Sequence, residues 1–301
     1  MGMGGAFSAV SDDVAALHSN PAGLAALKRR QLGMAYDQGL LDIKTEFIGY
    51  AAPIFQSNET LEGTKLSQTL KQGFGLSVLA SQLGTMEFQR TDAGGAFLDS
   101  QTISAGRDLI LSMAYAVRVT EDWGLTRARG NEFYVGTALR HWSSKLAQQY
   151  SAETTSCDFG FLSVGREHGF RWGAVVQNLG SGLKYKQARE PLPLTYRFGG
   201  AWQGPVPSIL AQPLTVSAEG LVDRENKKGA AAGLEYWGRH YAGCRAGYQW
   251  GQNQQSRWTA GLGIRLPGPL AGGVLIDYAF QMIGELGSTQ RLSLSYEFGP
   301  G

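Results

Sequence analysis

Few residues in this chain have the types and spacing that chemistry needs. The four histidines, His18, His141, His168 and His240, show no metal-ligand spacing. His141 with Ser143 or Ser144 is the nearest approach to a base beside a nucleophile, but two residues apart on a strand is a poor basis for a catalytic pair. GMGGAF (2–7) has the glycines of a phosphate-cradling loop, yet no strand precedes it, so the context that gives such a loop meaning is missing. Asp12 and Asp13 could hold a ligand or metal. Helix capping and internal hydrogen bonds are the commoner use of such a pair. Asn20 and Pro21 could form a gating hinge, or fix a turn that docks the segment before them, with Gly23 permitting the turn. Arg197, Glu219, Glu235, Arg245, Arg265, Asp277, Arg291 and Glu297 sit singly between apolar neighbours. They could line a permeation path, or form a paired network, since enclosed charges demand partners. The expectation is a chain with no catalytic residues, no metal site and no cofactor.

The elements around those charges explain their isolation. In LAGGVLIDYAF (270–280), Val274, Ile276, Tyr278 and Phe280 take alternate positions; in TQRLSLSYEFG (289–299), Leu292, Leu294, Tyr296 and Phe298 do the same. A period of two places successive side chains on opposite faces of a sheet. Strands are expected at about 31–38, 43–53, 72–90, 102–119, 131–145, 155–166, 170–179, 194–203, 213–223, 228–238, 241–251, 256–266, 270–280 and 289–299. That is an even number, fourteen, mostly about 10 residues long, as a tilted membrane strand requires. Turns at 167–169, 238–240 and 267–269 are short, whereas 91–101, 146–154, 180–193 and 281–288 are longer. The stretch 54–71 breaks the alternation of short and long, and a helix fits Glu62–Lys71. The strand at 131–145 is ambiguous in phase around Tyr134, His141 and Trp142, and a bulge there would reconcile it. Charged residues otherwise keep to one parity, with Arg107 at a strand end. A lipid-facing Arg or Lys at mid-membrane costs about 2–4 kcal/mol, so an antiparallel up-and-down transmembrane β-barrel accounts for that parity.

Composition agrees. No run approaches the ~18 apolar residues of a spanning helix, and a net charge of +2 over 301 residues creates no field for nucleic acid. Glycine, at 42 residues, is about twice as frequent as the usual ~7%, which suits a curved sheet whose backbone is closely approached. Cys157 and Cys244 share phase with outward aromatics on separate strands and are not expected to bond.

Residues 1–30 do not alternate. Ser11 or Asp12 would cap a short helix over Asp13–His18, which Asn20-Pro21 ends. The segment lacks a face broad enough to stand alone, so the division is a plug or hatch at 1–30 inside a barrel at 31–301. Its sequence GMGGAFSAVSDDVAALHSNPAGLAAL resembles the opening of the PorV/PorQ family of outer-membrane proteins, and NPAGL resembles the hatch of FadL-type fatty-acid and hydrocarbon transporters. VVQNLGSGLKY (175–185), PLPLTYRFGGAW (191–202), GLEYWGRHYAGCRAGYQWG (233–251) and DYAFQMIGELGSTQRLSLSYEFG (277–299) resemble later blocks of the same family, in order. The insertion at 54–71 and Gln290, where histidine is the family's residue, depart from it. The resemblance implies a fourteen-stranded barrel with its N-terminus in the lumen, in the outer membrane of a Gram-negative bacterium, as a mature chain without its signal peptide. The partners implied are outer-membrane lipid and lipopolysaccharide, and the barrel-assembly machinery during biogenesis. The function expected first is handling of exported proteins, as in type IX secretion, with 91–101, 180–193 and 281–288 binding the cargo; the alternative is transport of hydrophobic small molecules across the outer membrane.

Overall fold

The computed structural model describes residues 1–55, 71–119, 130–147, 149–165, 168–186, 188–205, 213–238, 241–251, 257–268, 272–284 and 287–299. Fourteen strands close into an antiparallel barrel. They are β1 (Arg30–Gln38), β2 (Ile43–Phe55), β3 (Lys71–Leu83), β6 (Gly106–Val119), β7 (Asn131–Leu146), β8 (Tyr150–Gly165), β9 (Phe170–Gly180), β12 (Thr195–Gly204), β13 (Leu214–Asp223), β14 (Lys228–Trp237), β15 (Ala242–Trp250), β16 (Arg257–Pro267), β17 (Gly273–Met282) and β18 (Ser288–Phe298). Each pairs with its neighbours in chain order, and β1 closes the ring on β18 from Arg30↔Phe298 to Gln38↔Gln290. Two further hairpins, β4 (Thr85–Thr91) with β5 (Phe97–Ser104) and β10 (Leu183–Tyr185) with β11 (Ala188–Glu190), stand outside the ring. Both rise from the rim opposite Arg30 and Phe298, here called the ribbon rim.

Alternation orients the wall. On β13, Thr215, Ser217 and Glu219 are buried while Val216 faces out. Leu76, Leu139, Phe198, Leu262 and Leu294 are likewise exposed on the outside. An apolar exterior over a polar interior is stable only with lipid outside, and closure leaves no strand edge unpaired. Among the described residues no helix is long and apolar enough to cross a membrane; the strands make the crossing.

Several local expectations are corrected. The strands placed at 72–90 and 102–119 each break: Gly84 takes a positive φ of 74° and its carbonyl accepts from the Ala105 amide at 3.0 Å, so the outer portions separate as the β4–β5 ribbon. The long connections at 91–101 and 180–193 are largely hairpin strands. The one at 146–154 is a short turn between extended β7 and β8. β7 carries no bulge; it pairs without interruption on both sides, with Tyr134, Ala138, Arg140 and Ser144 inward and Leu139 outward. The irregularity lies between β8 and β9, where the Asp158 carboxylate accepts from the Asn178 amide at 2.8 Å and Asn178 turns to φ 62°. The helix placed at Glu62–Lys71 lies outside the described residues, save Lys71, which opens β3.

Candidate functional site

The N-terminal segment runs through the lumen. Its helix α1 covers Ala16–Ser19, shorter than the expected Asp13–His18, and neither Ser11 nor Asp12 caps it. Asp13 Oδ1 instead accepts from the Ala15 amide at 2.7 Å, an Asx-type turn ahead of the helix. Ser11 Oγ points back to the Phe7 carbonyl at 2.9 Å. Asn20 ends α1, as the sequence indicates, but it also begins a 3-10 helix over Pro21–Ala26, accepting from the Ala22 amide at 3.1 Å. Gly23 packs so closely on Ser11 that a Cβ would meet the Ser11 carbonyl oxygen at 2.1 Å.

Two sets of contacts hold this segment. One is apolar: Leu17, Leu24 and Leu27 join Tyr134 and Leu162 of the wall in one buried cluster, while Met3, Val10 and Ala201 form a second. Each fully buried leucine contributes about 1.5–3 kcal/mol. The other set is polar and runs along the segment. Glu219, only 5% exposed, accepts from the amides of Phe7 at 3.1 Å and Ser8 at 2.8 Å. Arg197 binds Glu219 through Nε at 2.6 Å and donates to the Gly5 carbonyl at 2.9 Å. Thr259 donates to the Gly2 carbonyl and accepts from the Gly4 amide, at 3.0 and 2.9 Å. Arg171 reaches the Val10 carbonyl and, at 3.5 Å, Asp12. Arg140 and Gln177 both donate to the His18 carbonyl at the end of α1, and Arg140 is ion-paired with the fully buried Asp158. The Gln31 side chain accepts from the Val14 amide at 2.7 Å.

Glycines of the wall make room for these contacts. A Cβ on Gly173 would meet the Ser8 carbonyl oxygen at 2.3 Å, on Gly136 the Ala22 amide nitrogen at 2.5 Å, on Gly73 the Leu24 carbonyl oxygen at 2.2 Å, and on Gly247 the Gly4 amide nitrogen at 2.1 Å. Close approach of plug backbone to wall backbone is the physical reason for much of the glycine excess.

Seven of the eight expected interior charges fall into three groups, and the eighth stands apart. Arg197 and Glu219 grip the plug. Arg245 bridges Glu235 and Asp277 across three strands, and Arg291 pairs with Asp37, so these brace the wall itself. Glu297 accepts from Gln31 at 3.1 Å and thereby orients the residue that holds Val14. Arg265 does not join the network: it is exposed near the rim of Arg30 and Phe298 and lies 4.8 Å over the Trp237 ring. Asp12 and Asp13 do not converge on one point, and among the described residues no group of three His, Cys, Asp or Glu side chains could hold a metal ion. His141 faces outward, 4.0 Å from Glu153, on the same face as Ser143, whereas Ser144 turns inward to Asp108. Arg140, Arg171, Gln177, Thr259 and Gln31 were not singled out from the sequence. Inward parity marks them, but their targets are plug carbonyls and amides, which have no sequence signature.

Enclosure shifts Asp13 and His18 of the plug in opposite directions. Burial, and next the charge of Asp12, pushes Asp13 up to about 7. Burial, with Arg140 and then Arg291 adding to it, lowers His18 to about 3, and its neutral ring lies edge-on to Phe47 at 4.8 Å.

The closed barrel recurs in solved structures. The fold is that of the FadL-type barrels. A TodX monoaromatic hydrocarbon channel mutant superposes with a TM-score of 0.61 at 13% identity, covering 100% of this chain and 97% of that one. The P. putida toluene transporter TodX gives 0.57 at 12%, covering 95% and 94%, and the Ralstonia pickettii toluene transporter TbuX 0.55 at 12%, covering 100% and 97%. In sequence, residues 1–86 match the model of an uncharacterised protein family, UPF0164. That match takes in the plug, β1, β2 and β3. A comparison with curated proteins returns no match.

Proposed function

We propose that this protein is an outer-membrane barrel that admits small hydrophobic molecules past a plug that shuts the lumen to free diffusion. The observation that carries the reading is the plug's attachment: buried apolar clusters and hydrogen bonds to Glu219, Arg197, Thr259, Arg140 and Gln177 hold it along its length. Each neutral bond contributes about 0.5–1.5 kcal/mol net and each bond to a charged side chain about 1.5–3 kcal/mol, so the plug is held by many separable contacts. The end-to-end likeness in fold to proteins described as toluene transporters supports the same reading.

The test is uptake and conductance. A deletion strain is expected to lose growth or accumulation on hydrophobic substrates, and removal of residues 1–25 to raise ion current in planar bilayers. Normal uptake in the deletion strain together with unchanged current would remove the proposal.

The ribbons favour a second reading, engagement of an exported protein as in type IX secretion. Phe97 and Leu98, 62% and 58% exposed, project from the β4–β5 ribbon, where lipid does not cover them. Crosslinking from positions 86, 97 and 98 in the producing cell would capture a secreted protein under this reading, with uptake unaffected by deletion.

A further inference from the structure

The outer wall is not uniformly studded with large side chains. Along β13 and β14 the outward positions pair as Val222↔Lys228, Gly220↔Ala230 and Ala218↔Ala232, and only then as Val216↔Leu234. Small residues thus floor a depression whose sides are aromatic. On one side Trp172 leans over Gly200 and stacks on Phe198, ring centroids 6.1 Å apart; on the other, Tyr248 contacts both Trp250 and Trp258, at 4.4 and 4.5 Å. The depression forks at Phe198, which is 60% exposed. One branch, about 680 Å³, runs between Trp172 and Trp250 toward Val216. The other, about 720 Å³, runs between Phe198 and Phe161 and reaches Lys228. Gly220 borders both, and a Cβ there would meet nothing within 4 Å.

The dimensions suit one class of occupant. From Lys228 to Leu234 the strand spans about 20 Å; at a barrel tilt of about 40° that is about 15 Å of depth, half of the ~30 Å hydrocarbon core, which is one leaflet. Across the wall the two branches together run from β8 to β15, five strand spacings or about 24 Å, and each branch takes one chain of a two-chained lipid. At the ribbon-rim end stands Lys228, an exposed ammonium with no ion-pair partner among the described residues, unlike Lys227, which is bound to Glu225. We propose that this forked groove holds one anionic glycerophospholipid, an acyl chain on each side of Phe198 and the phosphate at Lys228. The proposal rests on the bilayer-spanning reading of the barrel and is independent of what passes through the lumen.

The delipidated full chain in detergent, titrated with dipalmitoyl phosphatidylglycerol and read by native mass spectrometry, tests it. One retained lipid per barrel is expected. Lys228→Gln is expected to weaken retention about fivefold, the effect of one lysine at an anionic headgroup, and to abolish preference over phosphatidylcholine. Gly220→Leu, whose Cβ meets nothing within 4 Å and whose side chain fills the fork, is expected to abolish retention. The groove is overturned as a lipid site if wild type keeps no phosphatidylglycerol, if Gly220→Leu keeps as much as wild type, or if lipid A is retained in preference. Gel mobility of unboiled against boiled protein reads the barrel separately. A chain without that shift overturns the bilayer reading and the proposal with it, whereas a shifted chain that holds no lipid overturns the proposal alone.

Discussion

Asn20 and Gly160 meet at a point where there is room for only one side chain: a Cβ on Gly160 would lie 2.1 Å from Asn20 Oδ1. The space matters because Asn20 is fully buried and uses its amide in three directions. Its Nδ2 donates to the Ser8 carbonyl at 2.8 Å and to the Phe161 carbonyl at 2.9 Å, while Oδ1 caps the 3-10 helix at Ala22. One side chain therefore joins the two halves of the plug to each other and to the wall.

Gly160→Ala should accordingly loosen the plug without opening the barrel. The loss is about 1–3 kcal/mol for buried polar groups left unpaired. Single-channel recordings should show raised current, and the heat-dependent gel shift should persist. A current equal to wild type would mean that Asn20 does not set the plug's position.

Glu219→Ala removes the acceptor for two plug amides and strands Arg197 in the lumen, at a cost of about 3–5 kcal/mol. Urea titration of plug release, followed by protease cleavage after Lys28 or Arg29, should show a lowered midpoint. Glu219→Gln, which keeps one acceptor oxygen, should fall between. Equal midpoints for all three proteins would contradict the assignment.

Two titrations act on the plug with opposite signs. Asp13 binds its proton more tightly when docked, so its contribution is complete below about pH 4 and is lost as pH rises through about 7. His18 is held neutral when docked, so its contribution is complete above about pH 6.5 and is lost as pH falls through about 3. Conductance measured from pH 4 to 8 should therefore rise less steeply toward alkaline pH in Asp13→Asn than in wild type, and less steeply toward acid in His18→Gln. Superimposable curves for Asp13→Asn and wild type would count against the first shift.

Leu17→Ala leaves a cavity between α1 and the wall, where Gly49 and Gly75 already bring the backbone close. A cost of about 2–5 kcal/mol is expected, seen as faster hydrogen exchange of plug amides with strand amides unchanged. Protection equal to wild type would place the plug's stability in its polar contacts alone.

Much of the architecture could be read before any coordinates. Strict alternation at 270–280 and 289–299 is a one-dimensional pattern, and a closed sheet converts it directly into lipid-facing and lumen-facing sides. The interior charges follow from the same parity, which is why Arg197, Glu219, Arg245, Asp277 and Arg291 all point inward. Arg265 shares their parity but lies too near the rim, because parity says nothing about depth along a strand. The β7 phase looked broken because Tyr134 and Trp142 face inward and His141 outward; the Trp142 indole donates to Ser156 at 2.9 Å, so its polar edge is satisfied there. The true irregularity, at Asn178, depends on a carboxylate from the neighbouring strand and leaves no local trace. The plug's partners were hidden for a similar reason: Arg140 and Gln177 recognise main-chain carbonyls, and every residue type carries those.

The glycine-lined inner wall also determines which experiments are clean. Without its N-terminal segment the barrel would be hollow and its inner face bare backbone, so truncation removes a filler as well as a gate. Its effects on leakage and on rigidity would then arrive together. Wedges of a single methyl at Gly73, Gly136 or Gly173, each pressed against a different part of the segment, separate the two, and graded in series they would chart which stretch lets go first.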